Sequence, residues 1–261
     1  MNDVAPIPET AGATVALADG ARGLVLADLH LGIEAAIAWE VGLEIPSRAD
    51  ERLTRIEGLI DRTDPDRVIL LGDVIHSIGT PSGPERDEFE ALIAAIDRPI
   101  TLVKGNHDGD IQELVGEHQS SSGRESGIAI TGTAGIRIGE VGFVHGHAWP
   151  SQSVLAAGTL VMGHEHPCVR LVDEVGGDRI ERVWLRGRAE VTAFDRHECE
   201  GDRCSGSLEE IVVMPAFNEL VGGTWVNDPD HEFLSPFLPA ALPDGEAYLL
   251  DGTRLGPYRS I

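Results

Sequence analysis

The sequence predicts an α/β fold, and three features of the 261-residue chain support this prediction. In the first half, short apolar runs alternate with segments of helical periodicity, as in proteins whose helices pack against a sheet. These runs end in glycine or acidic residues, which is typical of buried strands. In the second half, strand-like runs are joined by turns rich in Gly, Asp and Asn, with little helix between them.

The predicted strands are short apolar runs, each followed by a turn signal. Between residues 14 and 166 they are TVALADG, GLVLADLH, RVILLGD, PITLVKGNH, IAITG, EVGFVHGH and GTLVMGHEH. The later runs RIERVWLRG, EEIVVMPAF and EAYLLDG are expected to complete a second sheet.

Two segments between the early strands have helical periodicity. The first runs from Pro46 to Ile60, where Ser47 can cap the helix and Asp50 completes a pattern like a capping box. The second runs from Pro84 to Ile96. The predicted order of the first half is therefore strand, helix, strand, helix, strand.

The chain is expected to form one domain over residues 1–261, because single cores stop growing only at ~250–300 residues. No apolar run approaches the ~20 residues of a membrane helix, and the N-terminus lacks the order of a signal peptide. We therefore expect a cytoplasmic protein without membrane or lipid partners.

The charge is strongly acidic, with a formal net charge of -24, and Lys104 is the only lysine. Such a composition resembles that of halophilic proteins, whose carboxylate-rich surface stays soluble where molar salt shortens the Debye length to ~3 Å. The charge also argues against a broad basic face for nucleic acid, so any such contact should be local and made by arginine.

Three cysteines are too few for a disulfide framework. Two of them, Cys199 and Cys204, cluster with His197 in the polar segment 195–207. Their spacing does not match a zinc-binding pattern, and we expect reduced thiols in a surface loop.

The histidines carry the main functional signal, because seven of the ten fall in five short segments at the predicted carboxyl ends of strands. Ligands of α/β proteins bind at such strand ends. The segments contain Asp28 with His30, Asp73 with His76, Asn106 with His107 and Asp108, His145 with His147, and His164 with His166. Imidazole and carboxylate together suit divalent ions such as Mn²⁺, Fe²⁺ or Zn²⁺, and their number exceeds the needs of one ion. Two ions ~3.5–4 Å apart are typical of phosphoester hydrolysis.

The motif order DxH, GDxxH, GNHD, HGH, GHxH resembles that of the calcineurin-like metallophosphoesterases, over residues 28–166. The strings ADLHLG, LLGDVIH, GNHD and MPAFNELVGG are similar to those of archaeal SbcD-related phosphoesterases and of ligase-associated phosphoesterases of the PdeM type. The resemblance implies a four-layer α/β/β/α sandwich with two mixed β-sheets, in which residues 167–261 complete the sandwich. It also implies two divalent ions, with manganese expected and iron, zinc or nickel as alternatives.

The resemblance assigns the ligands residue by residue: Asp28, His30 and His166 to the first ion, Asn106, His145 and His164 to the second, and Asp73 as the bridge. It gives His107 the task of stabilising the transition state and protonating the leaving oxygen. His76 would orient His107, and Asp108 would either partner His107 or cap the following helix.

Three further residues of the same motifs have less defined roles. His147 is a candidate for contact with the substrate or with a ligand, with a structural role as the alternative. Trp149 could rim a substrate pocket. Glu165, between two ligands, is expected to face outwards because successive side chains of an extended segment alternate.

The expected function is phosphodiester hydrolysis of DNA or RNA, by attack of a metal-bound hydroxide on phosphorus. The alternatives are a phosphatase or cyclic phosphodiesterase acting on a small phosphoester, and a non-catalytic scaffold, against which the complete ligand set argues. A nuclease should have arginines leading to the ions, with Arg22, Arg48 and Arg186 to Arg188 as candidates.

Overall fold

The computed structural model describes residues 4–122, 127–173, 175–195 and 207–261, which form two facing β-sheets with helices outside them. The helices are α1 Ile33–Val41, α2 Ala49–Thr63, α3 Gly83–Ala95, α4 Ile111–Ser122 and α5 Gln152–Leu155. The strands are β1 Val4–Pro6, β2 Gly12–Ala16, β3 Arg22–Leu26, β4 Arg67–Leu71, β5 Ile100–Val103, β6 Ile128–Thr131, β7 Ile136–Ile138, β8 Val141–Val144, β9 Thr159–Met162, β10 Cys168–Val172, β11 Asp178–Arg188, β12 Glu210–Val213, β13 Glu246–Leu249 and β14 Arg254–Pro257.

The first sheet has six strands in the order β1-β2-β3-β4-β5-β6. Strands β3 to β6 are parallel, and Leu70 of β4 pairs with Leu26 on one side and Leu102 on the other. Strands β1 to β3 are antiparallel. The sheet is therefore mixed, and the carboxyl ends of β3, β4 and β5 lie at one edge.

The second sheet has eight strands in the order β14-β13-β11-β12-β9-β8-β7, and β10 pairs with β11 outside this path. Strands β8, β9 and β12 are parallel, whereas the other pairs are antiparallel. This sheet is mixed as well, and the carboxyl ends of β8 and β9 lie side by side.

Three apolar clusters fill the spaces between the layers. One joins the two sheets, where Leu71 and Val103 of the first sheet meet Phe143 and Val212 of the second. Another lies between the first sheet and its helices and includes Phe89 of α3. A third covers the outer face of the second sheet. The predicted sandwich of two mixed sheets is therefore confirmed.

The outer layer of the second sheet contains little regular helix. It consists of α5, a 3-10 turn at Val191–Phe194 and the segment 228–245, which contributes Phe237 and Leu242 to the apolar cluster. Side chains from irregular segments thus bury the outer face of this sheet in place of long helices. Within the described parts of the chain, no helix has the length and apolarity needed to cross a membrane.

The two predicted helices correspond to α2 and α3, but the capping of α2 differs from the prediction. Arg48 occupies the N-cap and makes no side-chain capping bond. The Ser47 hydroxyl accepts the N–H of Ala49 at 3.2 Å, a bond to the residue two positions ahead instead of a capping box. Helix α1, which the sequence did not predict, begins after Gly32 and ends at Gly42, both of which have positive φ.

Candidate metal centre

The candidate metal centre lies where strand ends of both sheets meet. The first three motifs follow β3, β4 and β5 of the first sheet, and the other two follow β8 and β9 of the second. Parallel strands end at the same edge of a sheet, so the loops converge. The side chains that the structure brings together there are Asp28, His30, Asp73, His76, Asn106, His107, His145, His164 and His166.

Asp28, His30 and His166 form the first ligand group. One potential ligand atom from each lies within 4.8 Å of the others. Nε2 of His166 is 3.2 Å from Oδ1 of Asp28, whose side chain is fully buried. These three residues are the set that the family resemblance implied for the first ion.

Asp73, His145 and His164 form the second group, with the same mutual approach of ligand atoms. Nε2 of His145 lies 3.3 Å from Oδ2 of Asp73 and 3.2 Å from Oδ1 of Asn106. The amide oxygen of Asn106 therefore joins this group, as the resemblance implied for the second ion.

Asp73 lies between the two groups. Its Oδ2 atom is 3.3 Å from Nε2 of His145 in the second group and 3.7 Å from Nε2 of His30 in the first. A carboxylate has two acceptor oxygens and one negative charge, so it can bridge two cations in this position.

Two ring nitrogens in the first group indicate directly that a cation fits there. Nε2 of His30 is buried and has no hydrogen-bond partner, and the buried Nε2 of His166 faces Oδ1 of Asp28 at 3.2 Å. A buried polar atom without a partner costs free energy, and such sites are typical places for an ion. A divalent cation would satisfy both nitrogens, because neutral imidazole donates a lone pair to metals.

His76 and His107 adjoin the first group through His30. Nδ1 of His76 lies 3.2 Å from Nδ1 of His30. Nδ1 of His107 contacts the backbone carbonyl oxygen of His76, and its Nε2 lies 4.0 Å from Oδ2 of Asp73. The backbone of His76 thus positions His107, whereas the ring of His76 positions His30.

The local electrostatics favour the metal-binding protonation states of His30, His164 and Asp73, but not that of His145. Burial lowers the pKa of His30 to about 3 and that of His164 to about 4, so both rings are neutral at pH 7. The pKa of the Asp73 carboxyl is well below its ordinary value, because His145 outweighs the opposing effect of burial. Burial disfavours the charge on His145, but its hydrogen bond to Asp73 and the nearby carboxylates raise its pKa to about 9. A bound cation would take the place of this proton.

The backbone of the centre is strained at the ligands. Of the seven non-glycine residues with positive φ in the described parts of the chain, five belong to the ligand set: Asp28, His30, Asp73, His164 and His166. Such conformations cost on the order of 1–3 kcal/mol each and cluster at functional sites. The fold therefore holds five candidate ligands in conformations that are uncommon for residues other than glycine.

Glycines allow the motif loops to approach each other. A Cβ atom on Gly163 would lie 2.6 Å from Oδ2 of Asp28, and one on Gly105 would overlap the side chain and backbone of Asp73. Close approach, and not only turn formation, therefore requires glycine at these two positions.

Asp108 has a different environment from the one that the sequence suggested. Its buried carboxylate accepts the N–H groups of Gly105 at 2.8 Å, Val74 at 2.9 Å and Ile75 at 3.2 Å. None of these three bonds goes to His107 or to helix α4. Asp108 thus ties the loop after β5 to the loop after β4, which carry Asn106 and Asp73.

Asn218 is a supporting residue whose role the sequence did not predict. Its buried side-chain amide donates to the carbonyl oxygens of Leu29 at 2.8 Å and His30 at 3.3 Å. The backbone N–H of Asn218 also donates to the carbonyl of Asp28. The only sequence signal is its place in the string MPAFNELVGG, nearly 190 residues after the first motif.

Glu165 is buried, and the expectation that it faces outwards is wrong. Its carboxylate accepts the N–H groups of Ser235 at 2.6 Å and Leu234 at 3.1 Å, and the hydroxyl of Thr224 at 3.2 Å. Glu165 therefore fixes the loop between His164 and His166 to the segment around residue 235.

His147 lies beside the second group, whereas Trp149 packs outside the second sheet. The ring of His147 is 5.3 Å from that of His145, and its buried Nδ1 has no hydrogen-bond partner. The ring of Trp149 contacts Phe194 and Phe237 and belongs to the apolar layer outside the second sheet. Substrate contact remains a prediction for both residues. The Cys199 and Cys204 cluster with His197 lies outside the described residues.

Comparison with known proteins gave three results. The chain matches the family described as calcineurin-like phosphoesterase over residues 21–199. No curated protein matches it. Among solved structures, nuclease MPE of Pseudomonas putida is 18% identical with a TM-score of 0.53, covering 95% of this chain and 97% of the other. The E. coli phosphoesterase Yfce is 18% identical with a TM-score of 0.35, covering 58% of this chain and 73% of the other.

The P. putida structure shows that the fold of this chain is shared over nearly its whole length. The family match extends over more than half of the chain and includes all five motifs. The chain belongs to the calcineurin-like phosphoesterase family and is a metal-dependent phosphoester hydrolase.

Proposed function

We propose that this protein is a phosphodiesterase that uses two divalent ions to cleave nucleic acid. The position of the Asp73 carboxylate between two separate ligand groups carries this proposal, since it provides for a pair of bridged ions. The relative that spans nearly the whole chain is a nuclease, which favours nucleic acid as the substrate. The expected location is the cytoplasm.

Asp28, His30, His166 and Asp73 would hold the first ion, and Asp73, Asn106, His145 and His164 the second. Manganese suits this mixture of imidazole, carboxylate and amide ligands, and iron, zinc or nickel could replace it. When bound, such a pair polarises the phosphoryl oxygens and lowers the pKa of water, so that hydroxide attacks at neutral pH.

His107 is in position to handle the proton of the leaving group. A carbonyl oxygen only accepts, so Nδ1 of His107 carries the hydrogen in its contact with His76. Nε2 is therefore the atom directed at the centre, on the side of Asp73. In the protonated ring, Nε2–H would stabilise negative charge on the phosphoryl oxygens and pass its proton to the leaving oxygen.

Hydrolysis of a small phosphoester is the second candidate, and the net charge of -24 favours it. A polyanion would be repelled by most of this surface, whereas a mononucleotide has little charge to repel. A scaffold role would not explain why the Nε2 atoms of His30 and His166 are buried at the candidate metal centre.

The test is hydrolysis of bis(p-nitrophenyl) phosphate and labelled single-stranded DNA and RNA in Mn²⁺ and high salt. Wild type is compared with Asp73→Asn and His107→Ala. The control variants are Asp61→Asn and His231→Ala, which change exposed residues of the same types outside the centre.

Turnover of both substrate classes that is lost in Asp73→Asn and reduced at least ~100-fold in His107→Ala would support the proposal. Turnover of the small diester alone would favour the second candidate. Two bound ions without any hydrolysis would contradict a phosphodiesterase, and failure to bind ions would contradict a metal-dependent enzyme.

A further inference from the structure

A cluster of three arginines surrounds the carboxylate of Glu219. Nη1 of Arg55 is 2.9 Å from Oε1 of Glu219, Nη2 of Arg182 is 3.3 Å from the same atom, and Nη1 of Arg48 is 3.7 Å from Oε2. Arg55 belongs to α2, Arg48 is its N-cap, and Arg182 belongs to β11. A helix that packs on the first sheet and a strand of the second sheet thus both contribute arginines to the cluster.

The segment 217–222, which carries Glu219, is attached to the loops of the first ligand group. The backbone N–H of Phe217 donates to the carbonyl of Ala27, and Asn218 binds the carbonyls of Leu29 and His30. At the other end, Nδ1 of His166 contacts the carbonyl oxygen of Gly222 at 2.8 Å. Glu219 therefore sits between two attachments to ligands of the first ion.

Three guanidiniums share the single carboxylate of Glu219. Arg52, which lines the same shallow cleft, is held separately by Glu34 and Glu88. The other ion-paired arginines in the described ranges each have at least one carboxylate of their own. The sharing of one carboxylate by three guanidiniums therefore distinguishes this cluster from the other described ion pairs of arginine.

The guanidiniums are fixed but accessible. The side chains of Arg48, Arg55 and Arg182 are 49%, 33% and 24% exposed. Arg55 also lies over the ring of Phe217 at 4.9 Å, and Arg182 donates to the carbonyl of Ala216 at 2.9 Å. Guanidinium has five donors in a rigid fork, so groups already held by one carboxylate still have donors for phosphate oxygens.

The other candidate arginines from the sequence lie elsewhere. Arg22 is at the amino end of β3, opposite the centre, and its side chain donates to the carbonyl of Thr63. Arg186 is held by both oxygens of Glu210. Of these candidates, Arg48 belongs to the cluster around Glu219.

We propose that Arg48, Arg55 and Arg182 bind a phosphodiester of the substrate strand that flanks the scissile phosphate. This inference rests on the proposed function and deepens it, because a substrate with a single phosphoester has no second phosphate to reach the cluster. A small phosphoester would occupy the metal centre alone and gain nothing from arginines outside it. The site thus selects nucleic acid despite the acidic surface.

The test is binding and turnover in the double variant Arg48→Gln/Arg55→Gln. Binding of a fluorescent single-stranded oligonucleotide, as DNA and as RNA, is measured by anisotropy in a His107→Ala background with Mn²⁺. We expect the Kd to rise about tenfold and the slope of log K against log salt to fall by about 0.7 for each phosphate that the variant no longer neutralises. The KM for an oligonucleotide should rise several-fold more than that for bis(p-nitrophenyl) phosphate.

Two further variants separate charge from packing. Arg48→Lys/Arg55→Lys keeps both charges and should restore most of the binding and of the salt slope. Arg86→Gln removes an exposed, ion-paired arginine from α3 and should change neither. Unchanged oligonucleotide affinity in the Gln double variant, equal loss in Arg86→Gln, or failure of the Lys variant to recover would overturn the inference.

These measurements also distinguish failure of the arginine site from failure of the proposed function. If the wild type hydrolyses neither substrate, the proposed function fails, yet the anisotropy measurement still decides whether the arginines bind a strand. If the wild type hydrolyses bis(p-nitrophenyl) phosphate while the Gln double variant binds oligonucleotide normally, the protein is a phosphodiesterase and the arginine site is contradicted.

Discussion

The Nδ1 atoms of the His30 and His76 rings lie 3.2 Å apart. Two lone pairs cannot face each other at this distance, so one nitrogen must carry a hydrogen. If Nε2 of His30 gives its lone pair to a metal, then Nδ1 of the same ring carries the hydrogen and donates it to His76. The ring of His76 therefore selects the tautomer of His30 that can bind a metal.

His76→Ala is expected to weaken Mn²⁺ binding about 10-fold to 100-fold, because groups that orient a metal ligand typically contribute this much. His76→Asn should recover part of the loss, since its amide oxygen can accept the same hydrogen. Isothermal titration with Mn²⁺ measures both, with His231→Ala as the control. Unchanged affinity in His76→Ala would show that His30 needs no partner.

Asn218→Ala is expected to destabilise the protein by about 1–3 kcal/mol, because it removes the side-chain donor of the buried Leu29 carbonyl and leaves the His30 carbonyl with the N–H of Ile33 alone. Denaturant unfolding in EDTA measures this effect apart from metal binding. Asn227→Ala is the matched control, since its amide also donates to a backbone carbonyl but at an exposed site. A similar loss of unfolding free energy in both variants would mean that the hydrogen bonds of Asn218 to the first motif contribute no more than an exposed hydrogen bond.

Glu165→Gln is expected to cost about 1–3 kcal/mol in the same assay, since a glutamine offers one acceptor where the glutamate oxygens accept from Ser235, Leu234 and Thr224. Its amide N–H groups would also face backbone N–H donors. Glu181→Gln on β11 is the control, because the side chain of Glu181 is 40% exposed. Full stability of Glu165→Gln would contradict the structural role given to this carboxylate.

Glu165 also shows where sequence reasoning fails. The alternation of side chains in an extended segment predicts that it faces outwards. The flanking residues His164 and His166 have φ values of 70° and 44°, so the segment is not extended and the alternation is lost. These dihedral angles depend on packing between distant loops, which the sequence does not display.

The convergence of the candidate ligands could be predicted because each motif is local and follows a recognisable strand. Asn218 could not, because its partners lie almost 190 residues earlier in the chain. Among the secondary structure elements, β1 and β7 are only three residues long, too short for a period-two pattern. Helix α1 is apolar without a strong stripe and buries only its first turn, so its periodicity is weak.

Salt should stabilise the protein, because a net charge of -24 produces self-repulsion in dilute buffer. Raising KCl from about 0.1 M to about 1 M shortens the Debye length from ~10 Å to ~3 Å. We expect the melting temperature, measured by circular dichroism in EDTA, to rise over this range. A constant or falling melting temperature would contradict the inferred adaptation to salt.

Removal of divalent ions should destabilise the wild type but not the Asp73→Asn variant. A ligand that binds only the folded state stabilises it by about 2.7 kcal/mol at 100 times its Kd. Asp73 contacts both ligand groups, so its loss should weaken both ion sites together. Thermal unfolding of each protein with Mn²⁺ and with EDTA measures the difference, and Asp61→Asn should behave as the wild type. If Asp73→Asn kept the full stabilisation by Mn²⁺, the carboxylate would not be the bridge, and the two groups would have to act as independent sites.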